Sequence, residues 1–259
     1  MKALGSHRRH PAAIVVLLLL GLVATGGLYS LLAPRPAQAA VATADDVTSG
    51  RKLFLANCAT CHGVNGLGGK IGPSLAGVGA AAVDFQVGTG RMPLAQPGVQ
   101  ASSNQVMFTD QEIASLAAYV ATLGPGPAIP DSQDTAGNGD VAKGNELFKE
   151  NCAMCHNFAG SGGALTQGKY APSLGNVSGQ YIYEAMATGP ESMPVFNGQN
   201  LSPADKNDII SYLHYLDKNQ NSGGLNLGNL GPVSEGMFVW VVGLGLMIGA
   251  AVWLGSKAA

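Results

Sequence analysis

All four cysteines of this 259-residue chain fall in two copies of one five-residue pattern, Cys58-Ala59-Thr60-Cys61-His62 and Cys152-Ala153-Met154-Cys155-His156. Thiols at i and i+3 on one helical turn are spaced to add to the two vinyl groups of a porphyrin, and the adjacent histidine is then placed under the iron. This is the attachment chemistry of c-type haem, and two complete motifs imply two covalently bound haem c groups. Cys58, Cys61, Cys152 and Cys155 are the expected attachment points, with His62 and His156 as proximal iron ligands. Disulfides are the competing use of cysteine outside the cytoplasm. A bridge within either C-x-x-C would constrain only a tiny loop and leave both histidines unexplained. Zinc would need further ligands at each cluster, and beyond the motifs only His7, His10 and His214 remain.

The elements that must position these residues are themselves duplicated. Gly50-Arg51-Lys52-Leu53-Phe54 precedes the first motif and Gly144-Asn145-Glu146-Leu147-Phe148 the second, at the same offset from the cysteines. Pro73-Ser74-Leu75 matches Pro172-Ser173-Leu174, and Thr89-Gly90-Arg91-Met92-Pro93 answers Thr188-Gly189-Pro190-Glu191-Ser192-Met193-Pro194 with two residues inserted. Each unit closes on an amphipathic helix. Thr109 and Glu112 predict a capping box ahead of Ile113, Leu116, Tyr119, Val120 and Leu123. Ser202 is the expected cap of the second helix, Pro203 its first residue, and Ile209, Tyr212, Leu213 and Leu216 its apolar stripe.

From residue 46 to 218 these features resemble the class I cytochrome c family. The resemblance implies an all-α fold of two tandem domains, in each of which an N-terminal helix crosses a C-terminal helix and the haem sits between them. It implies that Gly50 and Gly144 allow close approach to the Tyr119 and Tyr212 helices. It also implies that the carbonyls of Pro73 and Pro172 accept the Nδ1 proton of the proximal histidines, the bond that fixes a ligating imidazole. For the sixth ligand the sequence offers Met92 and Met193, at the same place in both repeats and each before a proline, which favours an extended loop. Methionine/histidine ligation raises the reduction potential and suits a carrier more than a catalyst. Met107, Met154 and Met186 are expected to be core filler, and His214 a helix-surface or packing residue.

Two apolar stretches bracket the repeats, Ile14 to Leu32 and Met237 to Leu254, and neither contains a charge. Each approaches the roughly 20 residues that span a bilayer. The first follows Lys2, Arg8 and Arg9, which places the N-terminus in the cytoplasm. It is an anchor or a signal segment, since Ala37-Gln38-Ala39 offers a cleavage site. The second is expected to be a transmembrane helix, with Trp240 and Trp253 near its ends and Lys257 on the cytoplasmic side. The resulting plan is an N-terminal segment 1–44, domain 1 at 45–124, a linker 125–139, domain 2 at 140–218, a linker 219–236 and the helix 237–254. The haem domains are expected at the cell membrane on its extracytoplasmic side. The Gly- and Pro-rich first linker is short, so the domains should stay near neighbours. Gly245 and Gly249 give the last helix a small-xxx-small pattern that permits close helix packing. Residues 45–230 carry 15 acidic and 9 basic side chains, a net of −6, which disfavours nucleic acid and permits steering toward a positively charged redox partner.

Tandem class I domains followed by a late anchor resemble the dihaem cytochrome c subunits of actinobacterial cytochrome bc complexes, the menaquinol:cytochrome c reductases. That resemblance implies a cytochrome b subunit, a Rieske iron–sulfur subunit and a terminal cytochrome c oxidase as partners. It further implies one-electron relay from the Rieske protein to the oxidase, as part of an oxidoreductase complex with no independent catalysis at these haems. The dihaem subunit of a cbb3-type oxidase and the electron acceptor of a periplasmic dehydrogenase are the alternatives, and an N-terminal anchor would be expected of the former. A haem peroxidase or gas sensor needs an open iron site, against which the two Met-Pro loops argue.

Overall fold

Each repeat folds around a pair of crossed helices, and a glycine sets how close they come. The computed structural model describes residues 11–32, 43–96, 98–219 and 232–257. Its helices are α1 (Pro11–Leu32), α2 (Ala44–Asn57), α3 (Ala59–His62), α4 (Gly79–Gly88), α5 (Asp110–Ala121), α6 (Val141–Asn151), α7 (Ala153–His156), α8 (Gly179–Thr188), α9 (Pro203–Lys218) and α10 (Pro232–Lys257). In the first repeat α2 crosses α5. A Cβ at Gly50 would overlap the Ser115 carbonyl and lie 2.9 Å from Tyr119 Cβ. In the second, α6 crosses α9, and a Cβ at Gly144 would overlap the Asp208 carbonyl and lie 3.0 Å from Tyr212 Cβ. The missing side chain lets the backbones touch, so Phe54 meets Tyr119 at 5.2 Å between ring centroids and Phe148 meets Tyr212 at 5.5 Å.

Caps fix where these helices start. Thr109 and Glu112 form the expected box at α5. Ser202 caps α9 with Pro203 in its first turn, and Asp205 completes a second box there. A further box of Thr43 and Asp46 starts α2, and Asp140 caps α6. Each such cap is worth about 1 kcal/mol.

One core forms in each repeat. Phe54, Val87, Ile113, Leu116, Tyr119 and Val120 fill the first. Phe148, Ile182, Met186, Ile209, Ile210, Tyr212 and Leu213 lead the second. Burying each large side chain contributes roughly 1.5–3 kcal/mol. Helices α4 and α8, which bring Val87 and Ile182 into these cores, are additions to the sequence reading. So is the two-residue antiparallel pair β1 (Gly163–Ala164) and β2 (Tyr170–Ala171) in the second repeat.

Of the three methionines expected in cores, only Met186 is there, at 2% exposure. Met154 is 93% exposed because the second position of the one-turn α7 points away from the core, and Met107 is 72% exposed on the approach to α5. His214 is half-buried on α9 and packs on Gly137. The first linker is held at both ends. Pro127 O accepts from Ala81 N at 3.1 Å in the first repeat. Gly137 N and Gly139 N donate to Asn207 Oδ1 and Ser211 Oγ on α9, at 2.9 and 2.7 Å.

Residues Glu235–Lys257 of α10 have mean hydropathy 2.2 and are long and apolar enough to cross a membrane. Trp240 and Trp253 are exposed near the two ends of that span, and a Cβ at Gly245 or Gly249 would meet open space. Helix α1 belongs to a separate N-terminal unit, and its apolar side chains from Ile14 to Leu28 are exposed. Lys2, Arg8, Arg9, the Ala37-Gln38-Ala39 site and residues 220–231 of the second linker lie outside the described residues.

Candidate haem-attachment sites

Cys58 is where α2 ends and the first motif begins. Its N–H donates to Phe54 O at 2.8 Å, and its carbonyl accepts from Cys61 N and His62 N at 3.1 and 3.0 Å. Cys152 repeats this with Phe148 O at 2.8 Å and with Cys155 N and His156 N at 3.1 and 2.9 Å. Both thiols of each pair therefore leave one helical turn, and all four cysteines are free thiols. Burial, with a smaller push from the neighbouring thiol, raises Cys58 to about 11 and Cys152 to about 12. Both sulfurs are thus protonated at neutral pH.

The histidines are oriented by the loop that follows each motif. His62 Nδ1 donates to Pro73 O at 2.8 Å and His156 Nδ1 to Pro172 O at 3.0 Å. A carbonyl only accepts, so the proton sits on Nδ1 and the Nε2 lone pair is left for a metal. The loop reaches this geometry by turning tightly. Gly63 has φ 77°, Gly68 N donates to His62 O, and Gly72 N donates to Cys61 O. A Cβ at Gly72 would lie 2.8 Å from Cys61 O and 3.0 Å from His62 Nδ1, so glycine is needed for this approach. In the second repeat Asn157 takes the positive φ, at 66°. Burial holds His156 below the usual histidine range and outweighs the opposing effect of its bond to Pro172. A neutral imidazole is the form that ligates iron.

Met92 packs against the same core cluster as Cys58, Ala59 and Leu75, and Met193 against the same cluster as Cys152, Ala153 and Leu174. Met92 N donates to Gln86 O at 2.9 Å and Met193 N to Pro190 O at 3.0 Å, and the Met92–Pro93 bond is cis. Each repeat thus sets the first cysteine of its motif and a methionine, Met92 or Met193, against one apolar cluster, the second of which also holds Met186, while the following loop orients the histidine. Val64, Leu67 and Ile71 on the first loop are exposed, as are Phe158 and Val195 in the second repeat. Apolar side chains in such positions suit the face of a porphyrin better than water. Among the described residues no three His, Cys, Asp or Glu side chains cluster, so the donor sets of zinc and calcium sites are missing while that of haem c is present. The residues fit the group. The glycine turns of the first loop were the part of the site that motif reading passed over, and the dense glycine run from Gly63 to Gly72 was their signal.

The family model described as Cytochrome c matches residues 47–124, and the one described as Cytochrome C oxidase, cbb3-type, subunit III matches residues 139–213. Across nearly its whole length the chain is similar to proteins named cytochrome bc1 complex cytochrome c subunit. It is 42% identical to that of Corynebacterium diphtheriae, over 96% of this chain and 95% of the relative. It is 44% identical to that of Mycobacterium leprae, over 94% and 87% of the two chains, and 44% to that of Mycobacterium tuberculosis, over 94% and 90%.

Proposed function

Because the chain belongs to the family of cytochrome bc1 complex cytochrome c subunits, we propose that it binds two haem c groups, one at residues 45–124 and one at 140–218, and relays single electrons between them. The donor is a Rieske iron–sulfur protein working beside a cytochrome b, and the acceptor is a terminal oxidase. The observation that carries this reading is the repetition of the whole site. Two cysteine pairs, two histidines bonded to proline carbonyls and two core-facing methionines stand in one chain.

When bound, haem c supplies reversible one-electron exchange at its iron. The chain does the rest. Cys58, Cys61, Cys152 and Cys155 hold the groups covalently. Pro73 and Pro172 keep the protons of His62 and His156 on Nδ1, and Met92 and Met193 would supply the further ligand of each iron, which favours electron transfer over catalysis. With α10 as anchor and Lys257 on the cytoplasmic side, the haem domains lie outside the membrane. By family likeness the first domain faces the donor and the second the oxidase.

One finding favours a second reading: the match of residues 139–213 to a cbb3-type oxidase subunit. The whole-chain similarity and the position of α10 after both domains favour the first. Copurification of a tagged chain from native membranes distinguishes them. Cytochrome b and Rieske subunits are expected; a cbb3-type oxidase in their place would overturn the proposal.

A further inference from the structure

The two repeats differ in length at three places, and all three differences meet. Pro73 follows His62 by 11 positions, whereas Pro172 follows His156 by 16; the surplus forms the β1–β2 hairpin. Pro190-Glu191 are extra residues before Met193. Conversely, the cap of α5 comes 17 positions after Met92, whereas the cap of α9 comes 9 after Met193. The longer stretch in the first repeat carries Gln100, Ala101 and Ser102.

Insertions usually swell into solvent as surface loops. These bond to one another instead. Gln100 Nε2 donates to Tyr170 O and Tyr170 N donates to Gln100 Oε1, both at 2.9 Å, so a side-chain amide pairs with β2 as a strand would. Tyr170 OH lies 3.2 Å from Ser102 Oγ. Glu191, at φ 58°, accepts from Ala101 N at 3.0 Å, and Ala101 is buried there. Each side is tied back to its own methionine segment. Ser103 Oγ donates to Thr89 O at 2.6 Å, three residues before Met92, and Lys169 Nζ donates to Ser192 Oγ at 2.9 Å, next to Met193. The Arg91 guanidinium, 4.8 Å above the Phe85 ring, is also within electrostatic reach of the Glu191 carboxylate.

We infer that Gln100, Ala101, Tyr170 and Glu191 form an interdomain clamp that sets the two methionine loops against one another, making this contact the junction that electrons cross between the domains. The inference rests on the proposed dihaem reading. Gln100 and Glu191 are positioning residues, acting through the segments that carry Met92 and Met193. In the step they serve, one electron leaves the reduced site and arrives at the oxidised one, with no bond made and no proton moved.

The test uses the full-length chain with both haems, in its membrane complex, carrying Glu191→Ala, Gln100→Ala or both. Each variant should keep two attached haems with wild-type spectra and unchanged potentials, since no ligand is touched. Amide exchange at Ala101 and Tyr170 should rise, each lost hydrogen bond favouring separation by roughly fivefold. Electron equilibration between the haems after rapid reduction of one should slow severalfold, most in the double variant. Glu191→Gln keeps a carbonyl oxygen to accept from Ala101 and should restore the wild-type rate. Wild-type equilibration in the double variant with both haems intact would overturn the clamp, as would a Glu191→Gln rate as slow as that of Glu191→Ala. A wild-type chain with fewer than two haems, or with an open sixth site, would instead strike the reading beneath it.

Discussion

A proline carbonyl cannot donate, and that one fact decides which nitrogen of His62 and of His156 keeps its lone pair. The further iron ligand proposed in each repeat is a thioether, and there the two repeats make the same prediction. Met92→Ala or Met193→Ala should leave covalent attachment intact, because the cysteines are untouched, but should lower the potential of one haem and open its sixth position. Carbon monoxide binding to the reduced variant, with none to the reduced wild type, is the expected spectral result. An unchanged spectrum in either variant would mean that another residue is the ligand. At this scale the two Cys-x-x-Cys-His motifs were legible from spacing, whereas the histidine–proline bonds and the glycine contacts at Gly50 and Gly144 were legible only through the resemblance to class I cytochromes c. The methionines show the limit of such reading. Met154 and Met107 look as apolar as Met186 in sequence, but only the direction in which each leaves its backbone decides exposure, and that direction is set by one-turn and loop geometry.

Among the elements, the crossed pairs α2–α5 and α6–α9 were readable because caps and apolar stripes mark them. Helices α4 and α8 were not. Gly79-Ala80-Ala81-Ala82-Val83 has no polar–apolar alternation to betray a helix, and α8 mixes Tyr181, Tyr183 and Glu184 because one of its faces meets the other domain instead of water. There Gln180 Nε2 donates to Asp84 Oδ2 at 2.7 Å and to Glu184 Oε1 at 3.3 Å, while Tyr181 stacks edge-on to Phe85. Glu184 is fully buried and its second oxygen is unpaired. Burial first, and then the charge of Asp84, raises its carboxyl from 4.5 to about 9. Between those values the folded chain binds a proton that the unfolded chain releases, so stability is greatest at the acid end and falls as pH rises toward the folded value. The loss is about 1.4 kcal/mol per pH unit within that window. Glu184→Gln removes this dependence, so thermal unfolding of the solubilised holo-chain should vary less between pH 4.5 and about 9 in the variant than in the wild type. Equal pH dependence in the two proteins would show that Glu184 is ionised when folded.

Among the described residues the two cytochrome c repeats pack directly, and a C-terminal helix long enough to span a membrane follows them. What the sequence could not reveal at this scale was the interface, because the residues that pair across it, such as Gln100 with Tyr170, lie 70 positions apart and belong to no motif. That interface joins the segments that carry the two proposed iron-ligating methionines, which would give the proposed series relay a direct route. The proposed relay requires the second site to be an obligatory intermediate. Cys152→Ala with Cys155→Ala removes its attachment points while leaving the first repeat unaltered. In the assembled complex the first haem should still be reduced by quinol, but quinol-driven oxygen consumption without added soluble cytochrome c should collapse. Oxygen consumption at the wild-type rate in that double variant would contradict the relay.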